Sequence, residues 1–150
     1  MVDAPPSIPL PTCMVEAAQI YHIPLRGFLA LWLTEGGKPG MKNKNKNGTY
    51  DYGAFQINTI WANKLASDFG VKAEQLQHDF CASAMASAYI LKYNIILEGG
   101  DFWQGVGRYH SNTPARKAWY IGKVGNDSNL LIVFYVQIMP DDFVMQLHRF

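Results

Sequence analysis

Phe28-Leu29-Ala30-Leu31-Trp32-Leu33-Thr34-Glu35 runs into Gly36-Gly37, and a Lys/Asn loop separates it from Asp51-Tyr52-Gly53-Ala54-Phe55-Gln56-Ile57-Asn58. Leu25, Phe28, Leu29 and Trp32 recur at the spacing of one helix face. Glu35 lies seven residues beyond Phe28 and three beyond Trp32, so the helical period carries its carboxylate round to the side facing the protein. Gly36, Gly37, Pro39 and Gly40 stop the helix. Asn47-Gly48 is a turn signal between two short extended segments, which predicts a small hairpin with Asp51 on a strand or its edge.

The flanking sequence is predominantly helical. Upstream, Pro5, Pro6, Pro9 and Pro11 mark an extended arm, and Thr12 is placed to cap a helix from Cys13 to about Tyr21. Pro24 suits the first position of the helix that ends at Glu35. Downstream, Asn58 is expected to cap a helix to about Phe69 that turns Ile60, Trp61, Leu65 and Phe69 inward. A short helical turn is expected over residues 72–76. Asp79 then precedes the longest pattern, Phe80 to Leu97, whose many Ala and Ser residues suit a central helix closely approached by its neighbours. Gly99-Gly100 ends it, Asp101 caps Phe102 to Tyr109, and Thr113-Pro114 opens a helix to about Val124. Leu130 to Met139 is compatible with strand or helix, and at ten residues it is too short to cross a bilayer as a helix.

The bulk composition restricts the classes available. With 150 residues, 49% apolar and 17% charged, the chain reads as one folded domain and not as a disordered segment. A formal charge of +1 gives no electrostatic basis for nucleic-acid binding, and Lys42, Lys44 and Lys46 read as a solvated loop. Cys13 and Cys81 both lie on apolar helical patterns, where a bridge and two buried thiols are equally compatible with the residues. The N-terminus lacks a basic region followed by an apolar core, so an exported protein would need a signal peptide that has been removed. Asn43, Asn45, Asn47 and Gly48 imitate the start of a calcium loop, but Ala54 stands where its closing Glu is required. No metal motif, phosphate loop, dinucleotide fingerprint or nucleophile pair appears, so no cofactor is expected.

Two carboxylates carry the chemistry that remains. An acid closing an apolar helix beside glycines is partly desolvated, and the helix C-terminus disfavours its charge further; both raise its pKa above the ordinary value of roughly 4.3. Asp51 sits in a more polar setting. Two carboxylates in unlike environments are equipment for breaking a sugar–sugar bond, one giving a proton and the other stabilising or trapping the positive sugar centre. Gln56 offers hydrogen bonds to substrate, while Asn58 is assigned to helix capping. Aromatics make up 13% of the chain, and Trp32, Tyr52, Trp61, Trp103, Tyr109 and Trp119 could provide stacking faces, though most of the tryptophans read as core.

Glu35 with its following glycines, the run from Asn47 to Asn58, and Gly107-Arg108-Tyr109-His110 together resemble the SLT domain of lytic transglycosylases. The likeness is greatest to the small exported enzymes of conjugation, type IV secretion, virulence-associated secretion and pilus systems. It covers roughly Cys13 to Val124. The run from Asp51 to Asn58 is also similar to animal-type lysozymes, which share the fold. This resemblance implies a mainly α, lysozyme-like helical domain with a small β-hairpin lobe over residues 13–124; the Pro-rich arm at 1–12 and a tail at 125–150 of uncertain structure lie outside it.

The resemblance further implies a lyase acting on peptidoglycan glycan strands in the periplasm, with components of a secretion, conjugation or pilus machine as partners, no nucleic acid and no transmembrane segment. Glu35 would protonate the bond between N-acetylmuramic acid and N-acetylglucosamine, then act as base while a 1,6-anhydro ring closes. Asp51 and Tyr109 would support it, with Tyr109 orienting Glu35 or a substrate group; Tyr52, Phe55, Gln56, Tyr109 and His110 would meet substrate. The relatives' cysteine pair falls on Cys13 and Cys81, implying a disulfide and an oxidising compartment. The family's Ser after the catalytic Glu is here Gly36, and its Tyr-Asn is here Tyr109-His110. The alternatives are a lysozyme-type peptidoglycan hydrolase, in which Asp51 would be nucleophile or chief stabiliser, and a non-catalytic wall-binding assembly protein.

Overall fold

Local capping signals set the starts of three of the seven helices among the described residues. The computed structural model describes residues 10–136 and the side chains of residues 10–130. It begins with α1 (Thr12–Ile20) and α2 (Leu25–Glu35), followed by strands β1 (Lys42–Lys44), β2 (Tyr50–Tyr52) and β3 (Ile57–Asn58). Five further helices complete it: α3 (Thr59–Phe69), α4 (Ala73–His78), α5 (Phe80–Leu97), α6 (Phe102–His110) and α7 (Pro114–Val136). The fold is mainly α with a small antiparallel β lobe, as the sequence led us to expect.

The caps expected at Asn58 and Asp101 form, and Asp79 supplies a third. Asn58, Asp79 and Asp101 accept hydrogen bonds from the N–H groups of Ile60, Ala82 and Gln104 at 3.1, 3.0 and 3.0 Å, each worth about 1 kcal/mol. Two expectations need correction. Thr12 lies inside α1, preceded by Pro11 with no side-chain cap, and Pro24 is the extended residue before α2, at φ −62° and ψ 122°. The chain entering these helices arrives from a proline whose fixed φ already suits the junction, so no hydroxyl cap is used.

α5 is the centre of the molecule, packed by α1, α4 and α6. Ser83, Ala84, Ala86, Ser87, Ala88, Ile90, Leu91, Asn94 and Ile95 are buried on it, an arc of somewhat more than half its circumference. At 18 residues with a mean hydropathy of 1.3 it is long and apolar enough to cross a membrane by composition alone, but its neighbours account for that character: a helix buried on many sides is apolar on many sides. Cys13 and Cys81 form the disulfide that fastens α1 to α5, their Cα atoms 5.6 Å apart. Such a bond implies an oxidising environment. Gly105 lets α6 lie directly against α5, since a Cβ there would strike the side chain and backbone of Ile95.

The expected hairpin forms from β1 and β2, and Ile57-Asn58 extends it to a three-stranded meander before α3 begins. Its register aligns Asn43 with Asp51 and Asp51 with Asn58, and the alternation of a strand sends that polar row to one face. Tyr52 and Ile57, paired in the next row, turn to the core. Gly53, at φ +69°, presses against the carbonyl of Leu76 in α4, and Gly37 presses against the carbonyl of Gly53. The lobe is thereby held to both α2 and α4.

Phe55, at the tip of the β2–β3 turn, is fully buried, stacked on Phe28 at 5.5 Å and tilted against Phe80 at 5.6 Å. On α3, Ala62 and Leu65 face inward, whereas Ile60 is 70% exposed, contrary to expectation. Phe69 likewise exposes most of its surface, only its ring meeting Tyr89 edge-on at 5.3 Å.

α7 is longer than the sequence suggested. It continues past Val124 to Val136, which assigns residues 130–136 to helix and starts the expected tail within a regular element; the remainder of that tail and residues 1–9 of the arm lie outside the described residues. It packs along α2, where Arg26 Nε donates to Ser128 Oγ at 2.6 Å and Thr34 Oγ1 donates to Asp127 Oδ2 at 2.6 Å. Those bonds set α7 in register with the end of α2, where Glu35 stands.

Candidate active site

Glu35 is the last residue of α2. Gly36 follows in the left-handed conformation, at φ 65°, with its N–H bonded to the Trp32 carbonyl at 3.2 Å. The helix therefore ends abruptly and leaves the carboxyl at the wall of a groove of about 580 Å³. One side of this groove is the β lobe, through Asn45, Thr49, Asp51 and Gln56. The other is the junction of α6 and α7, through Tyr109, His110, Ser111 and Arg116.

Glu35 is half-buried, and burial is the main cause that pushes its pKa up to about 7. The Asp51 charge adds to the rise, while a hydrogen bond from Tyr120 and the Lys123 charge oppose it. A carboxyl so placed carries its proton over much of the acidic and neutral range and can give it up without a large penalty, which is the property required of a general acid. The sequence-based expectation of a raised pKa for this residue is met, for the reason given there.

Asp51 lines the same groove from β2. Asn58 holds it, donating from Nδ2 to Asp51 Oδ1 at 3.0 Å and to Thr49 Oγ1 at 3.0 Å, while the Asn58 oxygen caps α3. Asn58 thus does more than end a helix: it locks the orientation of the second carboxylate. Gln56 also lines the groove, in a left-handed conformation at φ 51°. Its amide is committed within the lobe, Nε2 donating to the Gly53 carbonyl at 2.8 Å and Oε1 accepting from Asn43 at 2.8 Å. One N–H and one lone pair of that amide remain for a ligand.

The residues expected to meet substrate divide in two. Gln56, Tyr109 and His110 line the groove with Glu35 and Asp51. Tyr52 and Phe55 do not: both rings are in the core, because the alternation of β2 and the turn after it direct them beneath the lobe. Tyr109 also departs from its expected partner. Its hydroxyl donates to the Phe55 carbonyl at 3.1 Å and pairs with Ser87 Oγ at 3.0 Å, so it braces the β2–β3 turn against α5. Burial raises its pKa far beyond the physiological range. Of the tryptophans, Trp61 lines the groove while standing edge-on to Tyr93 at 5.2 Å, and Trp32 packs on Phe80 at 5.4 Å.

The residue that bonds to Glu35 is Tyr120, which sequence reading missed. Its hydroxyl donates to Glu35 Oε1 at 2.7 Å, and burial raises its own pKa well above the normal phenol value. The ring of His110 stacks on the ring of Tyr120, centroids 4.6 Å apart and planes 6° from parallel. Burial, then the neighbouring Arg116 charge, holds the His110 pKa below its ordinary value. The available signal was helical spacing: Tyr120, Val124 and Ser128 follow one another at four-residue steps and are all buried, but nothing local says that this face meets α2. Among the described residues no group of His, Cys, Asp or Glu gathers as a metal site.

The fold and the groove define a mainly helical domain with a β lobe, whose cleft presents one carboxyl of raised pKa opposite a second carboxylate. No family model matches the chain. It is 31% identical over 106 residues to Protein IpgF of Shigella flexneri, the match covering 70% of this chain and 68% of that protein. It is 29% identical over 107 residues to Invasion protein IagB of Salmonella typhimurium, covering 71% of this chain and 66% of that protein, just under two thirds of its length. The chain belongs to the family of Protein IpgF.

Proposed function

We propose that the protein is a peptidoglycan lytic transglycosylase. It would cleave the β-1,4 bond between N-acetylmuramic acid and N-acetylglucosamine with formation of a 1,6-anhydro-N-acetylmuramic end, opening the wall locally for a secretion, conjugation or pilus system. The observation that carries this reading is Glu35, a carboxyl pushed up to about 7 at the wall of the groove and hydrogen-bonded to Tyr120.

The chemistry uses that one group twice. Protonated Glu35 gives its proton to the glycosidic oxygen as the bond to the muramic C1 breaks, and the departing N-acetylglucosamine leaves as an alcohol. The resulting carboxylate is steadied by the Tyr120 hydroxyl. It then takes the proton of the muramic 6-hydroxyl while that oxygen attacks C1, closing the ring and regenerating the acid. No water is consumed. The fixed negative charge of Asp51 favours the positive sugar centre during both steps. The Salmonella relative is named an invasion protein, which supports work beside a secretion machine, and the Cys13–Cys81 bridge supports export to the periplasm.

Asp51 also supports a second reading, a lysozyme-type hydrolase, because its carboxylate faces the same groove with only Oδ1 engaged by Asn58. Mass spectrometry of purified wall digested by the protein separates the two. A transglycosylase leaves anhydro ends one water lighter than the reducing ends left by a hydrolase. Reducing ends would replace the first reading with the second; intact wall would leave a non-catalytic wall-binding component. Glu35→Gln is expected to lose cleavage by a factor of at least about 100.

A further inference from the structure

The lips of the groove carry positive charge that nothing in the fold uses. Lys46 stands on the β1–β2 turn at one lip and Arg116 on the first turns of α7 at the other; both are exposed and line the groove, and neither forms an ion pair among the described residues. The Lys46 turn is a built one. Asn45 N–H donates to the Thr49 carbonyl at 2.8 Å, Gly48 N–H to the Asn45 carbonyl at 3.0 Å, and Thr49 N–H to Asn47 Oδ1 at 3.0 Å, which fixes where the lysine leaves the backbone. Glu98, which does not line the groove, is already taken by Lys117 at 2.6 Å and Arg108 at 3.7 Å, so that acid is committed to tying α5 to α6 and α7.

A neutral sugar chain offers these two cations hydrogen-bond acceptors but no countercharge. The Asp51 carboxylate, which also lines the groove, repels an anion from its own side and leaves the positions of Lys46 and Arg116 attractive to one. We propose that Lys46 and Arg116 are a carboxylate-recognition pair for the peptide stems of the glycan strand, making the substrate a peptide-bearing strand rather than a bare one. This rests on the proposed function. Arg116 presents a planar fork suited to a carboxylate, and Lys46 a point charge on a flexible stem.

The test compares three preparations of wall glycan: native strands, strands whose carboxylates have been converted to neutral amides by carbodiimide and methylamine, and strands stripped of peptide by an amidase. Stripping leaves a lactyl carboxylate on the muramic ring, so the third arm separates that source from the stem. Wild-type protein is expected to cleave native strands roughly tenfold faster than either of the others, the worth of one charge-assisted hydrogen bond. Lys46→Gln with Arg116→Gln should reduce that ratio to near one. Lys44→Gln, an exposed lysine on β1 outside the groove lining, should keep it.

Equal rates on native and amidated strands overturn the proposal, and equal rates on native and stripped strands overturn the stem as the source. Sedimentation of the Glu35→Gln protein with the same three insoluble walls reads recognition without cleavage. If the binding preference appears and is lost with Lys46 and Arg116 while wild-type protein releases no anhydro ends, the recognition stands and the transglycosylase reading fails.

Discussion

Tyr120 and Glu35 lie 85 residues apart in the chain, and their side chains meet in a 2.7 Å hydrogen bond. The bond favours the ionised carboxylate, against the burial that favours the protonated form. Tyr120→Phe removes the hydroxyl and keeps the ring stacked on His110, so the groove should keep its shape. The expected result is a further rise in the Glu35 pKa of about 1 unit, from a charge-assisted bond worth roughly 1.5 kcal/mol or more. The alkaline limb of the activity profile should move upward accordingly, and the rate of wall cleavage should fall, because the carboxylate formed in the first step loses its support. A limb that moved toward acid would contradict this assignment of the bond.

Glu35 also makes stability depend on pH. Its folded pKa, about 7, lies above the ordinary 4.5, so the native state binds this proton more tightly than the unfolded chain does. The resulting stabilisation is fully present below the ordinary value and is lost as pH rises through about 7. Glu35→Gln removes the titration while retaining an acceptor for Tyr120. The variant should therefore match the wild type near pH 4 and exceed it above neutrality, by up to about 3 kcal/mol. Thermal melts across that interval measure the difference, and a parallel offset at all pH values would show that Glu35 is not the titrating group.

How far the sequence alone led depends on whether the signal was local. Asn58 and Asp101 were legible as caps because a cap needs only its own first turn. Glu35 was legible because Gly36-Gly37 ends the helix beside it. The Glu35 partner was not, since Tyr120 reaches it only after α7 docks along α2 through Arg26 with Ser128 and Thr34 with Asp127. The burial of Tyr52 and Phe55 was misread for a related reason. Aromatic rings beside a catalytic run suit both sugar stacking and core, and the choice is made by the register of a lobe whose third strand has only two residues. Ile60 was assigned inward on composition, whereas the face that packs is set by Ala62 and Leu65.

Phe55→Ala separates the two roles of that ring. As a fully buried side chain stacked on Phe28, its truncation should cost about 3–5 kcal/mol by leaving a cavity between α2 and the β lobe. Denaturant unfolding followed by Trp fluorescence would read the loss directly, since Trp32 lies 6.4 Å from the ring. A variant of unchanged stability but weakened wall binding would return Phe55 to the substrate surface.

The Cys13–Cys81 bridge spans 68 residues and encloses both α2 and the β lobe, so it restrains the segment that carries Glu35 and Asp51. Closing a loop of that length stabilises a chain by about 4 kcal/mol through the entropy it removes from the unfolded state. Cys13→Ser with Cys81→Ser should therefore lower the unfolding free energy by roughly that amount. Since the bridge joins α1 to α5 away from the groove, the remaining folded protein should retain the raised pKa of Glu35 and the position of its alkaline limb. A reductant should reproduce the stability loss in the wild type and have no effect on the double variant. If the double variant kept full stability but its limb shifted, the bridge would be acting on the geometry of the groove rather than on the unfolded chain.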